Sequence, residues 1–202
     1  MKNMMIAMIV AICLINVVGC AHAKQQPVTA MYVIGSTNSY ILQHRTLDMT
    51  NGTQQVFWVD PQGPGIGGFE MWVHPPDWSV LWTVELVIPT SRHDLRRGSY
   101  LNTRELDGLP STTIPRLTFG GDGRASSKSI GWFRVLEFTR NHNGSVKSAA
   151  IDFYQADIAS VNSWEFGSIR FNSKIPITTV EDKWKERFWE PKKALWYDIH
   201  CR

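Results

Sequence analysis

The tetrad Gly120-Gly121-Asp122-Gly123, with the apolar stretch 130–138 close behind it, constrains this chain more than any other feature. Glycine tolerates φ > 0 and an aspartate hydrogen-bonds nearby amides, so the tetrad reverses the chain within a few residues. The stretch that follows has to be buried, which makes it a core strand. The turn signal returns at Asn143-Gly144, ahead of 145–155, where Ala149, Ile151 and Phe153 lie on one face and Ser148, Asp152 and Tyr154 on the other. A further strand over 164–172 sets Ile169 and Phe171 against Ser168 and Arg170. Three strands on short connections predict an antiparallel meander.

Upstream, strands are expected over 31–35, 40–47, 54–59, 69–73 and 78–88, separated by Gly, Pro, Asn and Ser clusters; 95–101 carries Arg-Arg-Gly-Ser-Tyr, the segment to Pro115 is turn-rich, and 116–119 leads into the glycine turn. The clearest alternation is Trp78, Val80, Trp82, Val84, Leu86, Ile88, which predicts one long strand. The tail differs in kind. Val180, Trp184 and Phe188 recur at helical spacing, Pro191 ends the helix, and Leu195, Trp196 and Tyr197 need cover, so the tail is expected to dock on the sheet. The expected fold is all-β, an antiparallel β-sandwich or meander barrel with a short C-terminal helix.

The N-terminus reads as an export signal: Lys2, then a nearly unbroken apolar run over 4–18 that is short for a spanning helix. Val17-Val18-Gly19-Cys20 fits the pattern that precedes a lipid-modified cysteine, and Ala21-His22-Ala23 fits ordinary signal cleavage. The favoured reading is a lipoprotein with lipid on Cys20, and the alternative is a soluble periplasmic or secreted protein released after Ala23. The expected parts are a signal peptide (1–19), a tether (20–30), a β-domain (31–177) and a docked helical tail (178–202). Of Cys13, Cys20 and Cys201, only the last stays in the folded body, so no internal disulfide is expected and the apolar core must hold the domain.

The formal charge of +3, with scattered Lys and Arg, gives no footprint for nucleic acid. The histidines lack close ligand spacing and Asp122 lacks the alternating acids of a calcium loop, so neither a metal nor a cofactor is expected. No G-x-S-x-G elbow occurs, and the best carboxylate pair for glycoside hydrolysis is Glu70 with Glu85, both on strands. Nine tryptophans either fill the core or, as with Trp58, Trp72, Trp78 and Trp82, offer flat faces to a ligand. Two functions stay open. One is a non-catalytic envelope lipoprotein, a binding or structural module whose partner is an envelope protein or polysaccharide. The other is a carbohydrate-binding or carbohydrate-active domain.

Five segments also occur in a familiar order: Leu95-Arg96-Arg97-Gly98-Ser99-Tyr100, Gly121-Asp122-Gly123-Arg124, Gly131-Trp132-Phe133-Arg134-Val135, Ile151-Asp152-Phe153-Tyr154-Gln155, and Phe166-Gly167-Ser168-Ile169-Arg170-Phe171-Asn172-Ser173. Together they resemble a functionally uncharacterised family of exported bacterial β-domains that runs L-x-x-G-x-Y, G-D-G-R-G-C-N, G-x-F-x-V, A-D-F-x-Q-x-C and L-F-G-x-I-R-x-N-S. The resemblance implies an exported β-rich domain and no particular activity. Both cysteines of that pattern are replaced, by Ser126 and Asp157. Their joint loss implies that the family's cysteines pair and that Ser126 and Asp157 lie close together. Gly121, Asp122, Gly123, Arg124, Asp152 and Arg170 are read as structural, and the meander places Asp152 and Arg170 on the less apolar face of two neighbouring strands, where they are expected to meet.

Overall fold

The computed structural model describes residues 25–50, 55–60, 68–89, 92, 94–106 and 113–179. The expected signal peptide, Cys20, the helix over 180–190 and Cys201 lie outside them. Eleven strands follow one another: β1 Val28–Gly35, β2 Leu47–Thr50, β3 Val56–Val59, β4 Phe69–His74, β5 Trp82–Val87, β6 Gly98–Leu106, β7 Arg116–Gly121, β8 Arg124–Ala125, β9 Lys128–Arg140, β10 Val146–Asp157 and β11 Trp164–Ser173. They form two antiparallel sheets, one ordered β2-β1-β11-β10-β9-β6 and the other β3-β4-β5-β7-β8. The fold is an all-β sandwich.

Alternation decides which face of each strand meets the other sheet. From the six-stranded sheet Met31, Val33, Phe133, Val135, Ile151, Phe153 and Ile169 point inward, and from the five-stranded sheet Phe69, Met71, Val73, Trp82, Val84, Leu86, Leu117 and Phe119 meet them. Phe119 packs on Phe153 across the interface with ring centroids 5.6 Å apart. One polar group joins the sheets there. Gln155, 1 % exposed, accepts from the Phe119 N–H at 2.8 Å and donates to the Phe119 carbonyl at 3.2 Å, so its amide behaves as one more rung of a ladder.

The β9-β10-β11 meander is as the alternation predicts. Two turns differ in type. At Asp122 and Gly123 both φ values are positive, 53° and 73°, which is the two-residue type I′ turn that matches strand twist. At 141–145 only Gly144 is positive; Gly144 N–H donates to the Asn141 carbonyl and Asn141 N–H to the Ser145 carbonyl, a type I turn closed by a left-handed glycine.

Two expected strands are corrected. Residues 40–44 are a turn rather than a strand, and extended chain starts only at Leu47: Ser39 Oγ accepts from the Leu42 N–H at 2.9 Å, the Gln43 N–H donates to the Ser39 carbonyl, and Gln43 and His44 are left-handed. The strand expected over 78–88 begins only at Trp82. Trp78 N–H closes a turn onto the Pro75 carbonyl, Asp77 captures the Ser79 N–H, and Trp78 adopts φ 57°, so the alternation before Trp82 is not extended chain.

Candidate functional site

The residues that the motifs mark are holding the sandwich together. Tyr100 Oη accepts from the Arg96 N–H and donates to the Arg96 carbonyl, with Gly98 at φ 148° between them. A Cβ on Gly167 would fall inside the Phe153 ring, and one on Gly121 inside Trp82. Asp122 accepts from Arg45 at 2.7 Å and from Arg124 at 2.8 Å, and these bonds, Arg45 first, hold its carboxyl below the usual range. On the outer face of the six-stranded sheet Arg170 reaches Asp152 at 3.1 Å, fully buried beneath residues 174–178. Its other donors go to the carbonyls of Ile169, Ile175 and Pro176 and to Thr178 Oγ1, while Asp152 also accepts from Ser168 and Thr178.

Ser126, where the resemblance implies a lost cysteine, is buried and donates to the Lys128 carbonyl at 3.0 Å; the Ile158 N–H donates to the same oxygen at 3.1 Å. Asp157 stands opposite Ser129 in the same corner. The pair Ser126→Cys with Asp157→Cys is expected to cross-link in the oxidised protein and to add about 2–4 kcal/mol. Thiol titration under denaturing conditions reads the outcome, and two free new thiols would contradict the placement.

A different surface carries the groups that remain. On the outer face of the five-stranded sheet, register sets Trp58 opposite Trp72, Glu70 opposite Glu85, and Glu85 opposite Thr118. Trp58 is 42 % exposed on the edge strand, and its ring lies 4.8 Å from that of Trp72 at an interplanar angle of 52°. Trp72 Nε1 donates to Glu70 Oε1 at 2.5 Å, which fixes both side chains. Arg116 bonds Glu85 and lies 3.5 Å from Glu105, and Glu105 in turn accepts from Thr118 at 2.6 Å. Burial raises the Glu85 carboxyl above its ordinary value, opposed by Arg116 and reinforced by Glu70 and Glu105. The face therefore combines an open indole, a second indole with its N–H committed, and oriented carboxylates.

Of the four tryptophans offered as ligand faces, the structure brings Trp58, Trp72 and Trp78 to this side and removes the fourth. Trp78 is 59 % exposed and stacks on His74 with centroids 3.4 Å apart. A bulky residue at positive φ is uncommon, and here it lays the indole flat on the ring of a buried histidine. Trp82 is a correction. It is 1 % exposed and packs in the core against Gly121 and Phe119, because strand β5 points it inward with Val84 and Leu86. Glu70 and Glu85, the carboxylate pair that sequence alone singles out, are direct cross-strand partners. Arg116, Glu105 and Thr118 carry no motif, and only strand pairing brings them into the set.

The opposite face of the sandwich has its own aromatic row, Trp132, Tyr154 and Trp164, stacked at 6.3 Å spacings. All three are half-buried. At the same end Glu165, 1 % exposed, accepts from Ser39 Oγ at 2.5 Å, and its Oε2 has no hydrogen-bond partner among the described residues. Burial pushes its carboxyl up to about 7, with Ser39 opposing and Asp157 adding to the rise. Among the described residues no three His, Cys, Asp or Glu side chains gather as metal ligands would.

The chain matches no protein-family model, no curated protein and no solved structure.

Proposed function

We propose that this chain is a non-catalytic, exported binding module of the bacterial envelope, held to the membrane by lipid on Cys20 and presenting the outer face of its five-stranded sheet. The observation that carries this reading is Trp58, left 42 % exposed on a paired strand beside Trp72 and the fixed Glu70 carboxylate. Exposed aromatics on a rigid scaffold mark interaction sites. Export and anchoring rest on the aliphatic-glycine-cysteine pattern at the end of the apolar run and on the resemblance to exported β-domains. The tail 178–202 belongs to the same reading as a short helix docked on the sandwich; Thr178, bonded to Ser168 and Asp152, supports its start there.

Radiolabelled palmitate should enter the wild type and not Cys20→Ser; equal labelling, or an N-terminus at Lys24, contradicts the anchor. Purified mature protein should be retained saturably by isolated envelopes and should turn over none of a panel of glycoside and ester substrates. Loss of that retention in Trp58→Ala is expected, and retention indifferent to Trp58 contradicts the binding face.

A second reading, glycoside hydrolysis, is favoured by one observation: Glu70 and Glu85 oppose one another directly and Glu85 is raised, as a general acid must be. Arg116 weighs against it, since its charge favours the ionised form of Glu85 and so opposes the rise that a general acid needs. Turnover abolished by Glu85→Gln would decide for the enzyme.

A further inference from the structure

A stable protein interface engages about 20–30 residues a side around a desolvated apolar centre. On the outer face of the five-stranded sheet the open indole of Trp58 stands with Trp72, Glu70, Glu85, Arg116 and Thr118, and Val56, Thr83 and the Trp78–His74 stack lie on the same side. Four of the first six are charged or carry a hydroxyl, so the middle of the face is polar rather than an apolar centre. Such a patch suits a small, flat ligand that is apolar on one side and rich in hydrogen-bond donors at its rim. Resting on the binding reading above, we infer that this face binds a glycan without acid groups, with one pyranose ring against the indole of Trp58 and its hydroxyls donating to Glu70 and Glu85.

A pyranose ring offers a patch of C–H groups on its face and hydroxyls around its edge. The π-face of an indole accepts the former, and an ionised carboxylate takes O–H donors in short, strong bonds. The 52° between Trp58 and Trp72 prevents one ring from lying flat on both, so Trp72 acts as a wall that also orients Glu70 through its N–H. Charge sets the class. Three carboxylates, Glu70, Glu85 and Glu105, meet one guanidinium, and Arg116 is already engaged with two of them. A uronate or a phosphorylated sugar would bring a fourth negative charge to this cluster, whereas a neutral or amino-bearing sugar brings none.

The test is calorimetric titration of the purified mature protein with cellohexaose, chitohexaose, a chitosan hexamer and hexagalacturonate. At least one of the first three should bind saturably, and hexagalacturonate should not. Trp58→Ala should weaken the binding at least tenfold and Trp58→Phe should retain most of it, both with an unchanged unfolding midpoint. The inference is overturned if none of the non-acidic sugars binds, if hexagalacturonate binds as tightly, or if Trp58→Ala binds like the wild type. Should the sugars fail while envelope retention still depends on Trp58, the ligand class is wrong and the binding module stands. If both fail, both readings fall.

Discussion

Asp152→Asn should destabilise the domain by about 3–5 kcal/mol, because it leaves the guanidinium of Arg170 buried at 0 % exposure with its counter-charge removed. The asparagine keeps the shape and much of the hydrogen bonding, so the loss reports charge rather than packing. Arg170→Gln strands the other partner: Asp152 keeps Ser168 and Thr178, and loses the cation that neutralises it. The double variant should cost less than the sum of the two by about 1–3 kcal/mol, since it buries no lone charge. Urea unfolding of the four proteins completes the cycle, and additivity within about 0.5 kcal/mol would mean that the two groups do not interact. Much of the penalty should be shared by the segment 174–178, whose carbonyls and Thr178 are held by the same guanidinium.

Glu165→Gln should change how stability depends on pH. With its folded carboxyl raised to about 7 against an unfolded value near 4.5, the folded state binds the extra proton between those limits. Stability contributed by the protonated form is complete below about pH 4.5, falls as pH rises, and is lost above about 7. The span corresponds to roughly 3 kcal/mol. Glutamine still accepts from Ser39 Oγ and carries no charge, so the variant should lose the slope and exceed the wild type at pH 8 by about that amount. Urea midpoints between pH 4.5 and 8 test this. A wild-type curve that is flat, or rises, over the interval contradicts it. Asp122, held below its usual value, acts in a separate window: its contribution is lost only as pH falls through its depressed folded value.

The ordered core was legible because burial and alternation leave the same mark on sequence. Ile151 and Phe153 against Asp152 and Tyr154 can be read directly, and so can the approach of Asp152 and Arg170 once β10 and β11 are neighbours. The failures share a cause. At 40–47 and at 78–81 the backbone is set by local side-chain bonds, Ser39 to Leu42 and Asp77 to Ser79, and apolar spacing says nothing about these. Trp78 and Trp82 part company at that turn: it leaves the Trp78 indole exposed, whereas from Trp82 on the alternation holds and points the side chain inward with Val84 and Leu86.

The candidate site was harder still. Its members come from β3, β4, β5, β6 and β7; Glu70 with Glu85 and the tryptophans could be named as candidates, but nothing along the chain announces that pairing will gather them with Glu105, Arg116 and Thr118. The motifs drew attention elsewhere. Their glycines, Gln155, Asp152 and Arg170 are occupied by the protein itself, so the most recognisable residues describe how the sandwich is built.

A ligand that meets the five-stranded sheet will be read by the indole N–H resonances in a heteronuclear NMR titration with chitohexaose and cellohexaose. Trp58 and Trp72 should shift together with the amides of β3, β4 and β5, while Trp82 and the Trp132 and Trp164 pair stay unmoved. Shifts confined to Trp132, Trp164 and their strands, with Trp58 silent, would place the binding surface on the opposite sheet and contradict the proposed face.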